Sequence, residues 1–221
     1  MSSAPILRLV PTMPSVPRRG RPPRHNRSEI LDAASEVMIF RGYGATRYSD
    51  VAEASGVPVA SLQHHFPTLE VLRREALRNK VRAELTSLAL RVSEIADPWQ
   101  RVQHIIVRSV SLDPARRRGG WVLWLEYWRA AAHDPALAAD SREVRTQWLS
   151  LIAECVADGV AAGEFSPDGT VADAAVELHG MLDGLGIRLA IEHEESAATE
   201  AIMLLERAAR RLLGLDPGEP D

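Results

Sequence analysis

An all-α fold is predicted for this 221-residue chain by three observations. Apolar residues recur at three- and four-residue spacing, which lines one face of a helix. No run of β-branched residues alternates with period two, so strands are not expected. Asp97-Pro98, Asp113-Pro114 and Asp134-Pro135 punctuate the chain. Proline disfavours a helical residue before it and is welcome in the first turn of the next helix.

The elements follow in order. Ile30, Ala33, Ala34, Val37 and Met38 make one apolar face of a first helix that stops at Gly42. Ser49 to Ser55 forms a second, short helix, broken by Gly56. Ala52 is small enough to let the next helix cross closely, and Val57 and Leu62 fill the angle between them. Ser61, Gln63, His64 and His65 alternate around that third helix, with Leu62 and Phe66 on its inner side. Thr68 caps the helix that follows. This is the layout of a helix-turn-helix with a supporting helix ahead of it, a layout that reads DNA. Long helices are then expected over about 68–95, 98–112, 117–133, 135–162, 168–192 and 196–213, with Gly163 stopping the fourth. No repeat has a fixed period.

Composition bounds the remainder. A hydrophobic content of 46% is ample for a core, and the length fits one large helical domain plus a small head. The lone Cys155 excludes an internal disulfide framework, fits a reducing cytoplasm, and reads as a small core residue. No run approaches the roughly 20 apolar residues that span a membrane. The first 24 residues lack the apolar core of a secretory signal. A cytoplasmic protein without a membrane partner is expected. His64 and His65 are neighbours on a helix and point apart, and no Cys/His/carboxylate cluster has zinc-like spacing. No metal, cofactor or catalytic residue is therefore nominated; neither a phosphate-cradling glycine loop nor a Gly-x-Ser-x-Gly elbow occurs.

Ile30-Leu31-Asp32-Ala33-Ala34, Phe40-Arg41-Gly42-Tyr43, Ala45-Thr46, Asp50-Val51-Ala52, Ala54-Ser55-Gly56-Val57, Ser61-Leu62 and His64-His65-Phe66-Pro67 form one string. It resembles the head of the TetR family of bacterial transcriptional repressors. The resemblance implies an N-terminal three-helix DNA-binding domain over 25–70 and a larger helical effector-binding and dimerisation domain over 71–214. A disordered basic arm over 1–24 and a disordered tail over 215–221 flank them. It implies a homodimer, a double-stranded DNA operator of palindromic sequence, and a small-molecule effector that releases the repressor. Contacts to DNA are expected from Arg21, Thr46, Arg47, Tyr48, Val59, Ala60, Ser61, Gln63, His64 and His65.

The departures from the family pattern are informative. Arg47 stands where the family usually has Thr or Ser capping the second helix, so either Thr46 takes over the cap or Arg47 contacts phosphate. Pro58, Val59, Ala60, Gln63 and Leu69 stand where the family commonly has Ser, Lys or Arg, Gly, Tyr and Lys. The resulting recognition helix carries little charge. It keeps open an alternative, an all-α ligand-binding protein or enzyme whose head no longer reads DNA.

Net charge is −4, yet residues 1–27 hold Arg8, Arg18, Arg19, Arg21, Arg24 and Arg27, six of the chain's 26 basic residues and none of its 30 acidic ones. Positive charge is concentrated beside the head, where phosphate neutralisation supplies affinity. Pro17-Arg18-Arg19-Gly20-Arg21-Pro22-Pro23-Arg24 is too proline-rich for a helix. Its Arg-Gly-Arg-Pro is similar to the core of AT-hook segments, which enter a narrow minor groove. The plain alternative is a solubilising tail.

In the body, Trp121, Trp124, Leu125 and Trp128 share one helical face, and Trp148 lies on the next helix. With His179 these tryptophans are the candidate effector pocket, core packing being the alternative. Tryptophan with Glu126 and Tyr127 invites a cation through cation–π contact, and the segment 121–137 is similar to the body of the family's choline-responsive repressors; Glu126 points off the Trp face. Two apolar stripes follow, Leu137, Val144, Trp148, Leu151, Ile152, Cys155 and Val156, then Val171, Ala174, Ala175, Leu178, Met181, Leu182, Leu185 and Leu189. The family's last long helix pair builds a four-helix interface. Trp148, Ile152, Cys155, Leu178, Leu182, Leu185 and Leu189 are expected there, a buried intramolecular hairpin being the alternative. Gly180, Gly184 and Gly186 cost roughly 1 kcal/mol each against alanine inside a helix, which implies close approach or a kink.

Overall fold

The computed structural model of the chain describes residues 26–111, 113–191 and 197–215. They form α1 (Arg27–Arg41), α2 (Tyr48–Ser55), α3 (Val59–His65), α4 (Leu69–Ser93), α5 (Pro98–Val110), α6 (Pro114–Ala131), α7 (Pro135–Ala161), α8 (Val171–Ile191) and α9 (Ala197–Leu212), with no strand among the described residues. The basic arm, Arg21 included, and the far end of the tail lie outside them.

Local chemistry explains most helix ends. The Asn26 side chain accepts from the Ser28 N–H at 3.3 Å while Glu29 accepts from the Asn26 N–H, a reciprocal cap at the start of α1. Thr68 Oγ1 accepts from the Val71 N–H and starts α4. Asp97 and Asp134 each cap the helix that follows, accepting from the N–H groups of Gln100, and of Ala136 and Leu137. Gly56 takes the left-handed conformation, with φ of 70°, and allows the sharp turn from α2 into α3.

The short helices α1–α3 enclose a small core of Ile30, Leu31, Ala34, Met38, Val51, Val57, Leu62 and Phe66. α4 joins it to the body. Leu72, Ala76 and Leu77 are buried in its first half and Val81, Leu85, Leu88 and Val92 in its second, and the helix packs on α1, α5, α6 and α7. Burial of this size is the main drive for folding, at about 25 cal/mol per Å² of apolar surface. Asp140 of α7 ties three helices together, with its carboxylate only 2% exposed. It accepts from Arg78 Nε at 2.8 Å, from Arg82 of α4, and from the Tyr127 hydroxyl of α6 at 2.8 Å. A buried carboxylate is tolerable only with such partners.

Two expectations need correction. The apolar stripes of α7 and α8 are spent inside one chain: Ile152, Cys155, Leu178, Leu182 and Leu189 are buried in the chain's own core, and Trp148 and Leu185 pack half-buried against it. None of the five is available to a partner. The outward face of the pair instead shows Val160 and Val176, with Gly180 and Gly184 opening onto empty space. Gly186 has a different role. A Cβ there would lie 1.8 Å from Trp121 Cζ2, so the glycine makes room for the indole. The second correction concerns the start of α2. Neither the Thr46 nor the Arg47 side chain caps it; Asp50 reaches back and accepts from the Arg47 N–H at 2.8 Å.

Candidate nucleic-acid interface and ligand cavity

α3 presents an open face because its inner residues are fully committed. Leu62 and Phe66 are completely buried, and the helix turns Val59, Ala60, Ser61, Gln63, His64 and His65 outward. Arg47 is exposed beside them at the start of α2. These seven residues are exposed, and Gln63 and Ser61 bring an amide and a hydroxyl donor to the outer side of α3. Thr46 is not among them. Its side chain is buried, and Oγ1 donates to the Gly42 carbonyl at 2.9 Å. Tyr48 is half-buried, its hydroxyl donating to the Phe66 carbonyl at 2.6 Å, which clamps α2 to the end of α3. Both residues shape the interface from behind. Arg27 is likewise occupied: it pairs with Glu75 at 2.6 Å and stacks over the Phe66 ring at 4.3 Å.

The body contains a cavity of about 440 Å³, a size typical of small-molecule sites. Trp121, Trp124, Trp128, Trp148 and His179 all line it. The spacing on α6 accounts for three of the indoles, and their centroids stand 5.6 Å apart for Trp124 and Trp128 and 6.4 Å for Trp121 and Trp128. Trp148 of α7 closes edge-on against Trp124 at 6.4 Å and against His179 of α8 at 5.9 Å. Trp121 is held by its indole N–H, which donates to the Ser109 carbonyl at 2.9 Å. Glu126 pairs with Arg129 and stays out of the cavity.

Charge in the wall is uneven. His179 Nδ1 lies 3.3 Å from the carboxylate of Asp183, one helical turn on. Burial pushes the Asp183 carboxyl up to about 6, with Arg145 opposing. Burial, and then Arg145, holds His179 toward its neutral form. On the other side Lys80 pairs with Glu36 at 3.0 Å and Glu84 at 3.8 Å, and Arg108 with Glu84 at 3.1 Å. Asp183, Glu36, Ile39 and the Lys80–Glu84–Arg108 set were not singled out in the sequence. Only Asp183 carried a signal, its spacing of four from His179. Cys155 is buried outside the cavity, and burial pushes its thiol up to about 11, away from reactivity. Among the described residues no group could hold a metal ion, and no helix is long and apolar enough to cross a membrane.

Residues 30–76 match the family described as bacterial regulatory proteins, tetR family, and residues 98–214 match the C-terminal domain described as BetI-type transcriptional repressor. The HTH-type transcriptional repressor KstR2 of Mycolicibacterium smegmatis is 28% identical over 153 residues, 66% of this chain and 70% of that one. The HTH-type transcriptional regulator BetI of Cronobacter sakazakii is 20% identical over 211 residues, 93% of this chain and all of that one. Among solved structures, a putative transcriptional regulator from Saccharomonospora viridis in complex with choline superposes with a TM-score of 0.72 at 26% identity. The match covers 81% of this chain and 92% of that one.

Proposed function

The chain belongs to the TetR family of bacterial regulatory proteins and is a ligand-responsive, DNA-binding repressor of that kind; we propose that it acts as a homodimer on a palindromic operator and is released by a small organic cation. One observation carries the choice of ligand class. Four indoles converge on a single cavity whose wall also holds Asp183; of the other charged groups in the wall, Lys80 and Arg108 are paired with Glu36 and Glu84, and Arg145 faces Asp183. Indole faces attract a cation through the ring quadrupole, and a carboxylate adds full charge. The choline complex of the Saccharomonospora viridis relative supports the same class.

On the DNA side, the outward residues of α3 enter the major groove, with Gln63 suited to a bidentate pair with adenine. Arg47 meets phosphate at the groove edge. The outward face of α7 and α8, around Val160, Val176, Gly180 and Gly184, meets a second copy. This is a binding protein, without a catalytic step of its own.

Selection of genomic fragments by the purified protein tests the DNA half. Retained fragments should share an inverted repeat, and Gln63→Ala should relax preference at one base pair by about 1–3 kcal/mol. An eluate without enrichment would sink the DNA-binding reading. For the ligand half, choline should quench tryptophan fluorescence and release the fragments, whereas 3,3-dimethylbutanol, its uncharged isostere, should do neither. Equal responses would show that charge is not read.

A further inference from the structure

The geometry points to direct readout of the ligand by the DNA-binding head: α1 forms one wall of the cavity, and Ile39 and Glu36 are the residues through which an occupant acts on it. The inference rests on the ligand-responsive reading above. It adds where in the chain the response begins.

Two contacts carry it. Ile39 lines the cavity opposite Gly119, also in the wall, and a Cβ placed on Gly119 would sit 3.1 Å from Ile39 Cγ2. A methyl there would be tighter than ordinary van der Waals contact, so α6 approaches α1 too closely at Gly119 to admit a side chain without displacing Ile39. A close-packed contact of this kind passes on a displacement instead of absorbing it. Trp121, two residues after Gly119, is also in the cavity wall, so an occupant that moves the indoles moves the helix that abuts Ile39.

The second contact is electrostatic. Glu36 of α1 pairs with Lys80 of α4, which also reaches Glu84 of the same helix, which in turn pairs with Arg108 of α5. All four residues line the cavity. A cation entering there competes with Lys80 for Glu36 and Glu84 and loosens the tie between α1 and α4.

A shift of α1 does not stay local. Arg41 near its end pairs with Asp50 of α2 at 3.3 Å, and Thr46 bonds back to Gly42. Arg73 of α4 donates to the carbonyls of Gly44 and Thr46 in the same turn. The α1–α2 joint is therefore stiff, and the recognition helix behind it follows α1. A ligand shifts the equilibrium only if it meets the two states unequally; contact with Ile39 and Glu36 supplies that inequality at the head itself.

The test needs no ligand. Gly119→Val presses on Ile39 as an occupant would. It should weaken binding to a retained DNA fragment at least tenfold while leaving the thermal midpoint and the dimer unchanged. Adding Ile39→Ala should restore wild-type affinity. Ile39→Trp, which presses from the head side, should give the same loss and serves where Gly119→Val unfolds the chain. Wild-type affinity in both pressing variants would overturn the proposal, as would a loss that Ile39→Ala fails to restore, since the damage would then lie in α6. A wild-type protein that retains no DNA would fail earlier, and would sink the regulator reading along with this one.

Discussion

Asp183 makes the cavity sensitive to pH. A cation stabilises only its ionised form, and in the unliganded protein burial holds the carboxyl at about 6. Below that pH the protein must release a proton to bind, so choline affinity should rise with pH up to about 6 and level off above it. Tryptophan quenching between pH 5 and pH 8 reads this directly, and Asp183→Asn should flatten the profile. An unchanged profile in that variant would assign the titration to another group. Trp121, Trp124 and Trp128 are legible as a shared wall because helical spacing places them on one face of α6. Asp183 is not legible because an acid on a helix, like Asp173 and Glu177 of the same helix, is ordinarily solvated, and spacing does not report burial. Thr46 failed for the opposite reason. Its place in the motif reads as a DNA contact, but its hydroxyl finds the Gly42 carbonyl and the side chain turns inward.

Helices were the most legible level, and α7 and α8 show where that legibility stopped. Their existence and approximate ends followed from apolar periodicity, Pro135 and Gly163. Which face the proposed homodimer would use did not, because an apolar stripe marks burial without naming the partner that buries it. Here the stripe is consumed by the chain's own core, and the exposed residues left over include Val160, Val176, Gly180 and Gly184. The two faces predict different outcomes. Leu182→Ala should cost about 2–5 kcal/mol of folding stability by opening space in the core, and the folded fraction should keep its oligomeric state. Gly184→Glu should leave the fold intact and place like charges against each other across the two-fold axis. Sedimentation velocity should then find monomers. A Gly184→Glu protein that still sediments as a dimer would move the interface off this face.

At the scale of the whole molecule, division into a small DNA-reading head and a larger helical body was readable from motif and punctuation. The shared wall between them was not. Glu36 and Ile39 lie about eighty residues before the glycines and indoles they face, and nothing in either segment alone announces the contact. That wall fixes the expected behaviour of the assembly. In the proposed homodimer, two recognition helices must reach successive major grooves, roughly 34–36 Å apart, so a modest tilt of both heads about α1 is enough to spoil the register. By linkage, the factor by which the effector weakens operator binding is the factor by which the operator weakens effector binding. Four of the five tryptophans line the cavity, so fluorescence follows the effector with the DNA present. Choline titrations with and without saturating operator should differ by the same factor that choline imposes on operator affinity. Ile39→Ala should bring both factors toward one together, with choline still bound. Identical choline affinity in the two wild-type titrations would mean that the cavity and the recognition helices do not communicate, whatever the cavity holds.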